Sequence, residues 1–248
     1  MNNAAPGRRN LVIGGVIVAV LALVVGIGWA IQANRDTTGD EGKSPGESAS
    51  ATDTAEAAPG DEGTTTMSAP IAPVDTYGLG VGNQDAPAKV EIFEDFQCPH
   101  CADFEAASTE ALRDLADDGQ ALVVYRPMAF LSQYSVLAMN ALGAVMDSGD
   151  GDAALALHDL LFAEQPAGET PSTDWFVEQA ASVGADSEEV AAAITDNEFQ
   201  QWVVNGTDDA SKRGVTGTPT VFVNGEQVPG DTIEELVAAT VAAVEAAQ

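Results

Sequence analysis

The chain contains two cysteines, and they stand together in Cys98-Pro99-His100-Cys101. Two thiols at this spacing can form and break a short-loop disulfide, and such a pair is also raw material for a zinc site. Counting ligands separates the two. A structural zinc takes about four Cys, His or carboxylate ligands. The sequence holds no third cysteine and only two histidines, His100 inside the motif and His158. The motif therefore reads as redox-active, with no metal and no cofactor beyond the Cys98–Cys101 disulfide itself.

The reactive species in this chemistry is the thiolate, and a free cysteine ionises only near ~8.5. Cys98 stands where a strand gives way to a helix, so first-turn N–H groups and the helix dipole would stabilise its charge. Pro99 suits the first helical position, where its missing N–H costs nothing. His100 can add positive charge or a donor beside the sulfur. Cys101 shares the helix face with Cys98, is expected to be less exposed, and would resolve a mixed disulfide formed at Cys98. His158, among Leu155, Leu157, Leu160 and Leu161, reads as a helix-packing or half-exposed histidine.

The elements that must hold this motif follow from the hydrophobic pattern. Lys89-Val90-Glu91-Ile92-Phe93 reads as a strand running into the motif. Phe104, Ser108, Ala111, Leu112 and Leu115 then recur at helical spacing up to Gly119. Ala121-Leu122-Val123-Val124-Tyr125 is a second strand, stopped by Pro127, which completes a βαβ unit with parallel strands. From about 132 to 213 the pattern is helical. It marks helices around Val136–Val145 and Leu155–Phe162, then at Trp175–Val183, Ser187–Ile194 and Glu198–Lys212. Strand character returns at Thr220-Val221-Phe222-Val223, turns at Asn224-Gly225 and runs back through Val228. Thr232–Ala247 closes the chain as an amphipathic helix.

Just before that third strand lies Gly217-Thr218-Pro219-Thr220. Proline is permitted at a strand's start, and an X–Pro bond can be cis at modest cost. Beside a CxxC helix, such a turn would expose the Thr218 backbone for an incoming peptide to pair with.

Composition bounds the partners and the compartment. The 39 acidic and 9 basic residues give a formal net charge of −30, which repels nucleic-acid phosphates. No nucleic-acid partner is expected. Arg8-Arg9 precede Leu11–Ile31, an uncharged apolar run long enough to span a bilayer. The pair matches a twin-arginine export signal weakly, and Ala30-Ile31-Gln32-Ala33 is a poor cleavage site. The expected organisation is therefore a cytoplasmic 1–10, an uncleaved single-pass helix at 11–31 and a disordered extracytoplasmic linker at 34–73. The folded domain, 74–248, is expected outside the cytoplasm, where disulfides persist.

Asp85-Ala86-Pro87, the run Phe93-Glu94-Asp95-Phe96-Gln97-Cys98-Pro99-His100-Cys101, and Gly217–Gly225 together resemble the DsbA-type thiol:disulfide oxidoreductases. The resemblance covers Val74 to the C-terminus in the family's order, and the anchored, acidic-linker form looks actinobacterial. It implies a thioredoxin-like α/β fold with a helical insertion between the βαβ and ββα halves, and a cis peptide before Pro219. It also implies Cys98 as nucleophile, Cys101 as resolving thiol, and Thr218-Pro219 as a wall of the site that helps bind unfolded exported chains. A membrane reoxidising partner of the DsbB or VKOR type would follow. The family's buried acid six residues before the first cysteine is replaced here by Ile92, so Glu94 or Asp95 stands as a candidate relay, and Asp95 equally as a loop cap. Two other functions fit the same motif: a tethered reductase serving one pathway, and a non-redox peptide-binding or holdase module.

Overall fold

The structure, a computed structural model, describes residues 69–248. The expected segments 1–10 and 11–31, and the linker up to residue 68, lie outside the described residues. Among the described residues no helix is long and apolar enough to cross a membrane.

One mixed sheet organises the domain, in the order β1-β2-β4-β3-β5-β6. Its strands are β1 (Ile71–Val74), β2 (Gly78–Val81), β3 (Ala88–Glu94), β4 (Ala121–Pro127), β5 (Thr220–Val223) and β6 (Glu226–Gln227). The helices are α1 (Pro99–Asp117), α2 (Gln133–Asp147), α3 (Gly151–Ala163), α4 (Thr173–Ser182), α5 (Glu188–Thr195), α6 (Gln200–Lys212) and α7 (Ile233–Glu245). The thioredoxin-like α/β architecture is as expected, with α2–α6 as the helical insertion. β3 and β4 are parallel and joined through α1, as the βαβ pattern requires, and every other pairing is antiparallel. Asn224 and Gly225 take φ of +50° and +83°, the left-handed pair that a two-residue hairpin with right-handed twist demands.

The sheet begins earlier than the apolar pattern implies. The expected linker runs to Pro73 and no strand is expected at Gly78–Val81, yet Ile71–Val74 and Gly78–Val81 are paired strands. Pro73 in β1 and two glycines in β2 depress strand propensity. Burial overrides it, because Leu79 and Val81 are fully buried against β4. A Cβ on Gly80 would collide with Val74 Cγ2, so the glycine is what lets the two strands approach. Ala69 N–H adds a 2.7 Å bond to Asp117 Oδ1 and ties the segment to the end of α1.

β3 is the central strand and is buried on both faces. Its alternation sends Val90, Ile92 and Glu94 one way and Glu91 and Phe93 the other. On the Glu91 face the charges close on each other. Glu91 accepts from Arg126 Nε at 2.6 Å and Arg213 at 2.9 Å, while Asp75 takes the other side of the Arg126 guanidinium at 2.6 and 3.0 Å. Phe93, Met128, Ala210 and Val215 form a small second core there, with Arg213 stacked 4.8 Å over the Phe93 ring. The opposite face carries the main core under α1 and α7, and α1 places the cysteines.

Candidate active site

The strand-to-helix junction forms as the sequence requires. Cys98 is the N-cap of α1 with extended φ/ψ of −76° and 116°, and Pro99 occupies the first helical position. Cys98 N–H closes the preceding turn on the Asp95 carbonyl at 2.8 Å, and Cys101 N–H reaches the Cys98 carbonyl at 3.1 Å. Both thiols are free. Cys98 is 6% exposed and Cys101 1%, so only the first offers any surface. The peptide between Thr218 and Pro219 is cis, and Cys98 Sγ lies 3.3 Å from the Thr218 carbonyl oxygen. Residues 120 positions apart thus form opposite walls of one site.

The two sulfurs are held in opposite states. The Cys98 thiol is lowered to about 5, chiefly because the Cys101 thiol donates a hydrogen bond to its anion. Burial opposes this, and the Thr218 side chain with the N–H groups of Cys101 and His100 carries it further. Cys101 moves strongly the other way, first through burial and then through the neighbouring Cys98. His100 acts on the sulfur through its backbone. Its imidazole is exposed and lies 3.8 Å from Asp103.

A second set of residues builds the frame. Asp95 is fully buried, and its carboxylate accepts from Gln97 N–H, Ser135 Oγ, Phe130 N–H and Leu131 N–H, at 2.5 to 3.2 Å. These bonds fasten the CxxC turn to the start of α2, with Asp95 capping that loop. Gln165, from the loop after α3, donates to the carbonyls of Phe96 and Cys98 at 2.7 and 3.1 Å. Gln97 Nε2 returns a bond to the Pro166 carbonyl at 3.2 Å. The helical insertion is therefore hydrogen-bonded to the active-site turn from two directions. Phe130 and Leu131, each 48% exposed, lie on the loop that Asp95 holds. No pattern near the motif points to Gln165. Asp95 was visible only as a carboxylate near the motif.

His158 departs from the half-exposed alternative: it is fully buried beneath the site. Nε2 lies 2.6 Å from Glu94 Oε1 and Nδ1 lies 3.1 Å from Asp159 Oδ1. Arg113 grips that Asp159 with two contacts of 2.6 and 2.8 Å. Burial alone would lower the His158 pKa, but Glu94, Asp159 and Glu105 together outweigh it and the imidazole is raised. Glu105, one helical turn beyond Cys101, is raised by burial and by Glu94. Ile92 occupies the place of the family's acid on the same face, so the acidic groups of this region arrive from Glu94 and Glu105.

Fold and dithiol together define a thioredoxin-like redox domain. The thioredoxin family model matches residues 75–241, and the chain belongs to that family, in its DsbA-type branch of thiol:disulfide oxidoreductases. Reduced DsbA of Mycobacterium tuberculosis superposes with a TM-score of 0.55 at 26% identity, over 69% of this chain and 99% of that one. MdbA, a thiol-disulfide oxidoreductase from Corynebacterium diphtheriae, gives 0.56 at 27% identity, over 65% and 89%. The chain is also 33% identical over 165 residues to the Na(+)/H(+) antiporter NhaA 1 of Salinispora arenicola, a match covering 65% of this chain. It spans only 24% of that antiporter's length.

Proposed function

We propose that the protein is an extracytoplasmic dithiol oxidase that introduces disulfides into exported proteins. The observation that carries this is the environment of Cys98: capping α1, receiving the Cys101 S–H and two backbone N–H groups, with its pKa lowered to about 5. Stabilising the thiolate stabilises the reduced protein, which makes its disulfide a strong oxidant. A reductant serving one pathway would need the reverse.

In the cycle, a substrate thiolate attacks Cys98 Sγ and the Cys98–Cys101 bond breaks, with Cys101 leaving as thiolate and taking a proton. A second substrate thiolate then attacks the substrate sulfur of the mixed disulfide and expels Cys98 as its stabilised thiolate. The substrate has lost two electrons and two thiol protons; the protein holds both electrons, as the Cys98 thiolate and the Cys101 thiol, with one proton on Cys101 and the other released to solvent. Cys101 performs the resolving attack when the mixed disulfide reverts, and Pro99 and His100 shape the turn that presents Cys98. The Thr218 backbone, facing the sulfur across the cis Pro219 turn, pairs with the substrate chain, and exposed Phe130 and Leu131 offer apolar contact beside it. A membrane partner of the DsbB or VKOR type, linked to quinone, would return the dithiol to the disulfide. Leu11–Ile31 as a single-pass anchor, with the N-terminus cytoplasmic, would hold the domain on the same membrane.

The test is a Cys101→Ser variant expressed in cells that export cysteine-containing proteins. It is expected to accumulate substrates linked through Cys98 and released by reductant. A folded variant that carries none would refute the oxidase reading.

A further inference from the structure

Between β3, α1 and α3 lies a group of side chains that the dithiol cycle leaves unused. One oxygen each of Glu94 and Glu105 and one nitrogen of His158 lie within 4.8 Å of one another, and all three residues are buried. The ion pairs do not exhaust them. Glu94 Oε2 and Glu105 Oε1 are buried without a hydrogen-bond partner, although Glu94 is 1% and Glu105 6% exposed. Buried polar atoms are normally satisfied, and orphaned ones point to a water or an ion. The two carboxylates and the one imidazole together make a nitrogen-and-oxygen donor set.

The histidine is oriented as a ligand. Metal-bound imidazoles commonly donate their second N–H to a carboxylate that fixes the ring. Here Asp159 stands 3.1 Å from Nδ1, and its own position is held by the two-point contact with Arg113. Nε2 is thereby turned toward Glu94. Phe96, Tyr125 and Phe162 surround the ring, with centroids 4.3 to 5.7 Å away. A cleft of about 320 Å³ is lined by Glu105, Thr109, Asp159 and Phe162, two of them members or holders of this group.

We propose that Glu94, Glu105 and His158 bind a divalent transition-metal ion, with zinc the best fit to one imidazole, two carboxylates and a water from the cleft. Zinc accepts such ligands at roughly 2.0–2.2 Å in tetrahedral geometry. The ion replaces the proton between His158 and Glu94, and two carboxylates with a neutral imidazole balance its charge. Its ligands come from the strand entering the CxxC motif, from the helix carrying it and from the insertion, so binding ties all three together. The ligand count that excludes zinc at the cysteines does not bear on this site, which uses no thiol. The proposal is independent of the oxidase reading.

The experiment uses the full chain with Cys98–Cys101 oxidised, so that no thiolate can take the ion. After chelator treatment and dialysis, zinc chloride is titrated calorimetrically and melting is followed with and without zinc. One equivalent is expected to bind, and saturating zinc is expected to raise Tm by about 5–10 °C. Glu105→Gln keeps the shape and removes a ligand charge. It should melt close to the wild type without zinc and lose both the equivalent and the Tm gain. Failure of the oxidised wild type to take up zinc at about 100 μM free ion would overturn the proposal. So would full uptake by a folded Glu105→Gln variant, which would move the ion to surface groups such as His100 and Asp103.

Discussion

Cys98 and Cys101 are one helical turn apart and chemically alike, yet the fold gives them opposite tasks. Cys98 caps the helix, where N–H groups point outward with no intrahelical partners and favour an anion. Cys101 is a turn inside, 1% exposed, where ionisation would place a charge in the core. Each also sets the other: the Cys101 thiol donates to the Cys98 thiolate, and that thiolate discourages Cys101 from ionising. Reactivity here is a property of position along a helix rather than of the residue type.

The largest expected effect comes from removing either side of this contrast. Cys98→Ala should abolish attack on glutathione disulfide and on alkylating reagents. Cys101→Ala should keep a reactive Cys98 but raise its pKa, because the lost S–H is the chief stabiliser of the anion. Equal loss of alkylation in the two variants would erase the distinction.

Varying pH separates the thiols next. In the reduced protein Cys98 alkylation should hold a plateau at neutral pH and fall about tenfold per unit below pH 5, since the thiolate is lost there. The linked stability follows the same sign. A folded-state pKa of about 5 lies below the unfolded value of ~8.5, so ionised Cys98 contributes stability that is complete above the latter and lost as pH falls through the former. Denaturant melts of the reduced wild type against reduced Cys98→Ala should therefore diverge between pH 5 and 9. Parallel curves would count against an activated thiolate.

A change in the frame should act on stability before chemistry. Asp95→Asn replaces a buried acceptor of four hydrogen bonds with a group that turns N–H donors toward other donors. A cost of about 2–4 kcal/mol is expected from chemical denaturation, with the Cys98 pKa nearly unmoved. A large pKa change at unaltered stability would reassign Asp95 from loop cap to proton relay. The smallest effect is expected from Thr218→Val, which removes a side-chain contribution to the thiolate while keeping the carbonyl wall. The Cys98 pKa should rise by about 0.5–1 unit, read from the same alkylation profile.

Much of this contrast was legible in the chain. The strand-to-helix junction, Pro99 at the first helical position and the Asn224-Gly225 hairpin are local events, written in neighbouring residues. The cis bond at Pro219 was implied by family resemblance, because no local pattern dictates it. What stayed hidden depends on burial and on distant partners. β1 and β2 carry poor strand residues and become strands because β4 needs cover. Gln165 reaches the CxxC turn from 67 residues away, a link that no sequence spacing discloses. His158 looked like a packing residue because its helix is leucine-rich, and two of its acidic neighbours, Glu94 and Glu105, lie on β3 and α1. His100, between the cysteines in sequence, was expected to aid Cys98 with its ring, but the first turn of α1 directs that ring to solvent.

A reduced form stabilised at Cys98 is what makes the disulfide oxidising, and the reduction potential measures that stabilisation directly. Equilibrating the protein in glutathione buffers and quantifying the free Cys98–Cys101 dithiol should place the couple near the DsbA range, around −120 mV. A value near that of thioredoxin, around −270 mV, would mean the disulfide rather than the dithiol is the favoured state, and would contradict the oxidase assignment.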